Sequence, residues 1–150
     1  MAEVIKRKIQ TGNYQTFINE GGDSKSSETI IFLHGSGPGA SGESNWKEIL
    51  PRFQDKFHIV APDIYGFANT DHPEEYPQNG AEWMRIRVEQ VLSLMDTLEV
   101  EKAHLVGNSL GGVIALHLLM YAPERFDRIV LMGAGGGLKE PTPELGKLAN

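Results

Sequence analysis

The stretch Ala103-His104-Leu105-Val106-Gly107-Asn108-Ser109-Leu110-Gly111-Gly112 constrains the chain more than any other. An apolar run, residues 104–106, reads as a short buried strand. An apolar helix is predicted over residues 110–121, stopped by Pro123. Between them lies a turn with a glycine two residues either side of Ser109. A strand that passes directly into a helix belongs to a layered α/β architecture. The rest of the chain repeats the alternation. Residues 4–10 and 14–19 read as a hairpin around Thr11-Gly12-Asn13. Residues 29–33, 58–61 and 129–132 are continuous apolar runs, as expected of strands buried on both faces. A short helix is predicted over residues 46–53. A longer one over residues 82–98 carries Met84, Val88, Val91, Leu92, Met95 and Leu98 on one stripe. A helix is also expected to begin after Pro143. These elements predict an α/β fold with a mostly parallel sheet, flanking helices and right-handed crossovers.

In such sheets the chemistry collects at the carboxyl ends of the strands. Three loops fall there: residues 34–45, the Pro62-Asp63 loop, and the turn at Ser109. The turn fits G-x-S-x-G, in which a serine stands on a tight bend that tolerates no bulk beside it. The helix that follows aims its free N–H groups and positive end at the serine, where they stabilise a developing oxyanion. The first loop, His34-Gly35-Ser36-Gly37, is positioned to supply a second backbone donor. A competing reading exists. Gly37-Pro38-Gly39-Ala40-Ser41-Gly42 matches G-x-G-x-x-G, with Asp63 downstream as a ribose acceptor. It is disfavoured because Glu43-Ser44-Asn45 separate the glycines from the predicted helix and because it leaves Ser109 unexplained. A phosphate-binding P-loop is excluded, since no Gly-Lys-Ser/Thr occurs.

Composition removes other classes. The 150 residues fit one domain. A net charge of −6 argues against nucleic acid. Without cysteine there is neither a disulfide framework nor a thiolate metal site, and no metal or cofactor is expected. The N-terminus lacks the apolar core of a signal peptide, and residues 113–122, interrupted by His117, are too few to span a bilayer. The expectation is a cytoplasmic protein acting on a small molecule.

The chain resembles the α/β-hydrolase superfamily, and within it the meta-cleavage product hydrolases, which break a carbon–carbon bond in bacterial aromatic degradation. The resemblance rests on His34-Gly35-Ser36-Gly37-Pro38-Gly39-Ala40, Ser44-Asn45-Trp46, Ala61-Pro62-Asp63, Gly66-Phe67, the stretch from Ala103 to Gly112, and Leu131-Met132-Gly133. Ala68 departs from the glycine many relatives have. The resemblance implies Ser109 as the active-site serine, an oxyanion hole from the N–H groups of Ser36 and Leu110, and contact of Asn45 and Asn108 with a dienoate. Asn45 read on its own is equally well a helix N-cap. The implied reaction ketonises a 2-hydroxy-6-oxo-dienoate and hydrolyses its C5–C6 bond without a cofactor. The superfamily order is serine, acid, histidine. The later acid and histidine, and the lid before them, fall beyond Asn150. Residues 1–150 therefore read as a partial core domain, the first six of eight strands, inactive alone. His34, His58, His72, His104 and His117 are not placed by sequence as the base. An ester hydrolase of the same superfamily and a non-catalytic binding module are the alternatives. With no following strand, residues 128–132 would form an apolar sheet edge through which the chain self-associates.

Overall fold

A computed structural model describes residues 3–25 and 27–133. The helix expected after Pro143 lies outside the described residues. The first two strands, β1 (Ile5–Thr11) and β2 (Tyr14–Gly21), form the hairpin. Gly12 turns it with φ of 64°, a left-handed conformation that glycine adopts without a Cβ penalty. The remaining strands are β3 (Thr29–Leu33), β4 (His58–Pro62), β5 (Ala103–Asn108) and β6 (Phe126–Met132). The sheet runs β1-β2-β4-β3-β5-β6. β4, β3, β5 and β6 are parallel neighbours, and the hairpin joins antiparallel at β4.

Every residue of β3 and β4 is buried, which explains why they read as unbroken apolar runs rather than alternating ones. Two layers cover them. On one face α3 (Gly80–Thr97) and α4 (Leu110–Tyr121) pack Val88, Val91, Leu94, Met95, Ile114 and Leu118 against Ile31, Leu33, Val60 and Leu105. On the other face Trp46 and Leu50 pack against Ile30, Phe32, Ile59 and Ala61. Asn79 caps α3, its side-chain oxygen accepting the Glu82 N–H at 2.9 Å.

The expected single helix over 46–53 is instead two: α1 (Gly42–Trp46) and α2 (Leu50–Phe53). Ser41 starts the first early. It accepts the Ser44 N–H, and the Ser44 hydroxyl accepts the Ser41 N–H, both at 2.9 Å, a reciprocal cap. Pro51 opens the second, where its missing N–H costs nothing. β6 is longer than expected and lies at the sheet edge. Val130, Leu131 and Met132 are 53%, 41% and 45% exposed there. Among the described residues no helix is long and apolar enough to cross a membrane.

Candidate active site

β5 delivers the chain to Ser109, whose backbone turns to φ 53° and ψ −113° before α4 begins. A non-glycine residue with positive φ is strained, and here the surroundings hold it. Its N–H donates to the Met132 carbonyl at 2.9 Å, and its carbonyl accepts from Gly112 at 2.9 Å. The flanking glycines are required by contact. A Cβ on Gly107 would lie 2.5 Å from the Gly111 oxygen, and one on Gly111 would lie 2.1 Å from the Leu33 oxygen. The start of α4 is thus pressed against the end of β3. As the first helical residue, Leu110 has no intrahelical acceptor for its N–H.

The loop after β3 reaches the same place. A Cβ on Gly35 would sit 3.4 Å from the Ser109 Cβ and 3.3 Å from the Asn108 Nδ2. Gly35, Asn45, Asn108 and Ser109 therefore form one cluster, with Ser36 next along the loop. The Asn45 Oδ1 accepts twice, from the Gly35 N–H at 3.0 Å and from the Asn108 Nδ2 at 3.2 Å. Asn45 lies inside α1 and is not its N-cap, a role held by Ser41. After these bonds the pair still offers an amide N–H on Asn45 and an amide oxygen on Asn108.

His34 is wholly buried beneath the loop. Its Nε2 accepts the Ile64 N–H at 2.9 Å, so the ring proton sits on Nδ1 and donates to the Gly35 carbonyl at 2.7 Å. Burial holds its pKa below the ordinary imidazole range. Sequence reasoning did not place His34 as the base. The glycine that follows it was the available signal, but the Ile64 partner lies 30 residues away. Asp63 is an anchor: one carboxylate oxygen accepts the Gly42 N–H at 2.8 Å, the other the Asn69 N–H at 3.0 Å.

Those bonds also decide the dinucleotide reading. The glycine loop opens a helix at Gly42 itself, so the separation expected from Glu43-Ser44-Asn45 does not exist. The reading fails for other reasons. The helix has five residues, and the Asp63 carboxylate, 1% exposed, is already engaged on both oxygens.

None of the chain's five histidines is bonded to Ser109. His34 is consumed as described. His58 sits at the opposite end of the sheet, between the Thr29 hydroxyl at 2.9 Å and a Glu20 oxygen at 2.7 Å. That hydroxyl–imidazole–carboxylate series is buried and closed to a substrate. Its carboxylate is held below the usual range by the His58 hydrogen bond, and further by Arg7, against the opposing effect of burial. His72 lies on the Ala68 carbonyl at 3.0 Å, and His117 is exposed on α4. The His104 Nδ1 accepts the Arg128 N–H at 3.2 Å. Glu28, His104 and Asp127 bring ligand-type atoms within 4.8 Å of one another. The same Arg128 bond leaves the His104 proton on Nε2, which is then no metal ligand.

Residues 28–149 match the family described as alpha/beta hydrolase fold. The chain belongs to this family. Among its curated α/β-hydrolase relatives is the 2-hydroxymuconate semialdehyde hydrolase of Pseudomonas sp. (strain CF600), 37% identical over 132 residues, 88% of this chain and 44% of that protein. Another is the 2-hydroxy-6-oxo-6-phenylhexa-2,4-dienoate hydrolase of Burkholderia cepacia, 38% identical over 125 residues, 83% of this chain and 41% of that protein. A solved structure of the enzyme with that name from Rhodococcus sp. strain RHA1 superposes with a TM-score of 0.91 at 42% identity, covering 99% of this chain and 53% of that one. The fold class, an α/β-hydrolase core with a mostly parallel sheet flanked by helices, is thus as the sequence predicted. The chain spans less than half the length of these two curated relatives, 44% and 41%.

Proposed function

We propose that this chain supplies the serine-bearing part of a hydrolase that cleaves the C–C bond of a 2-hydroxy-6-oxo-dienoate from aromatic ring cleavage. One observation carries the reading: Ser109 stands on a left-handed turn at a strand–helix junction, with the Gly35 loop so close that a Cβ on Gly35 would sit 3.4 Å from the Ser109 Cβ. The names of the relatives supply the substrate class. In this reading Ser109 is the active-site serine, and the N–H groups of Ser36 and Leu110 hold the oxyanion. Each such donor contributes on the order of 3 kcal/mol to the transition state. The free N–H of Asn45 and the free oxygen of Asn108 meet the hydroxy-dienoate, one as donor and one as acceptor. The test is turnover of a 2-hydroxy-6-oxo-dienoate beside an aryl ester by a protein that carries residues 1–150 together with the acid and histidine that the superfamily order places after the serine. Preferred hydrolysis of the dienoate, lost in Ser109→Ala, is the expected result. Ester turnover alone would move the substrate assignment to an ester hydrolase, and turnover surviving in Ser109→Ala would end the serine reading.

A second reading has its own observation. The histidines of residues 1–150 are all committed elsewhere or distant, so these residues taken alone suit a domain that binds without reacting. They comprise a partial core domain in both readings. Association follows from β6. Its outer edge has no strand partner among the described residues, and Ile129 to Met132 carry neither charge nor proline to discourage pairing. Residues 1–150 are expected to elute in size-exclusion chromatography with light scattering as a dimer or larger species. Val130→Lys is expected to shift them toward monomer. A parent that is monodisperse and monomeric at micromolar concentration would show that this edge is inert.

A further inference from the structure

Gln90 is an amide in the middle of α3, 2% exposed, on a face otherwise made of Val88, Val91, Leu94 and Met95. Burying an amide there is costly unless its polar atoms are bonded, and an apolar side chain would suit the helix better. Its three hydrogen bonds are directed at two places, β2 and the loop after β4. The Nε2 donates to the Asp63 carbonyl at 3.0 Å and to the Thr16 hydroxyl at 3.1 Å. The Oε1 accepts the Tyr65 N–H at 2.8 Å. Gln90 therefore grips the backbone on both sides of Ile64. The Ile64 N–H is the group that occupies the His34 Nε2 and so fixes the His34 proton on Nδ1.

We propose that Gln90 is a positioning residue for the oxyanion loop, acting through Ile64 and His34 on the peptide that joins Gly35 to Ser36. The proposal rests on the reading of Ser36 as an oxyanion donor. In a trans peptide the carbonyl of Gly35 and the N–H of Ser36 point in opposite directions. The His34 Nδ1–H holds that carbonyl at 2.7 Å, and so aims the Ser36 N–H away from the buried side. Asn45 fixes the preceding peptide through the Gly35 N–H. The arrangement depends on the tautomer. If the Ile64 N–H swings off Nε2, the ring proton is free to move there. A bare Nδ1 then faces the Gly35 oxygen lone pairs, and attraction becomes repulsion. Gln90, clamping residues 63 and 65, prevents that swing.

The variant is Gln90→Met, which keeps length and volume. It leaves the Asp63 carbonyl with the Thr70 hydroxyl at 2.6 Å and the Thr16 hydroxyl with Thr11, so one backbone N–H, that of Tyr65, loses its partner. Three readouts follow by NMR on the full chain. Ile64 amide exchange is expected to accelerate about tenfold, the scale of one lost hydrogen bond. The His34 ring nitrogens are expected to move from one fixed tautomer toward an average. The residual dipolar coupling of the Ser36 N–H is expected to leave the alignment defined by β3, β4 and β5, while those strands keep theirs. Loss of stability alone would move none of the last two. Gln90→Glu, which retains an acceptor for Tyr65 and loses both donors, is expected to give an intermediate response and serves if the Met variant does not fold. An unchanged Ser36 coupling and His34 tautomer in the folded variant overturns the proposal. The parent reading fails by a different result, dienoate turnover that survives Ser109→Ala.

Discussion

Residues 1–150 on their own are expected to hydrolyse a 2-hydroxy-6-oxo-dienoate about 10⁴ to 10⁶ times more slowly than an intact serine hydrolase, the range lost when a triad is broken. A serine hydroxyl is a weak nucleophile until a base within hydrogen-bond reach takes its proton. The five histidines of these residues are accounted for. His34 spends both ring nitrogens on backbone groups, and burial lowers its pKa. His58 is closed in with Thr29 and Glu20. His72, His104 and His117 lie on the Ala68 loop, the sheet face and the outside of α4. Asp63, bonded to the glycine loop at Gly42, has both oxygens on backbone N–H groups. In the proposed reading these residues supply the strained turn and the backbone donors, and a preorganised oxyanion site would retain some acceleration over water. The measurement is the decay of dienoate absorbance with time at high protein concentration. A rate typical of an intact enzyme would mean that one of these five histidines leaves its partners to serve Ser109. The five single His→Gln variants would then identify which.

The order of strands and helices was legible because burial on both faces writes continuous apolar runs at residues 29–33 and 58–61, and one-sided burial writes the α3 stripe. The Ser109 turn was legible because steric exclusion demands glycine at fixed offsets, and those offsets are local. Contacts between distant segments left weaker traces. The start of α1 was misplaced since a serine pair, Ser41 and Ser44, makes the reciprocal cap usually written with an acidic or amide third residue. Asn45 read equally well as an N-cap or a substrate contact because the sequence does not reveal that its oxygen is taken by Gly35 and Asn108. Gln90 passed unnoticed as one polar residue within a helical stripe. Its three partners come from β2 and the loop after β4, and no periodicity reports such a bond.

Gly111→Ala is expected to destabilise the chain by more than about 3 kcal/mol, beyond the usual cost of overpacking. The added methyl would lie 2.1 Å from the Leu33 oxygen, 2.5 Å from the Leu33 carbonyl carbon and 2.8 Å from the His34 oxygen. These are backbone atoms of the last residue of β3 and the residue after it, and β3 is held by β4 on one side and β5 on the other, so they cannot turn away as a side chain would. Relief requires moving either the first turn of α4 or the end of β3. The first movement relaxes the Ser109 turn, and the second displaces His34 and Gly35. The variant is therefore expected to lose stability and site geometry together, seen as a lower denaturant midpoint and as a melting temperature down by roughly 10 °C for a domain of this size. Gly80→Ala is the control. It is the first residue of α3, and a methyl there meets nothing within 4 Å, so the same substitution is expected to be neutral or to stabilise by under about 1 kcal/mol through the unfolded chain. A Gly111→Ala protein within about 1 kcal/mol of its parent would show that the β3 end yields to α4. The reason for glycine two residues after Ser109 would then lie in the reaction itself, in access of a substrate oxygen to the helix N–H groups, and turnover by a protein that adds the acid and histidine to these residues would fall while stability held.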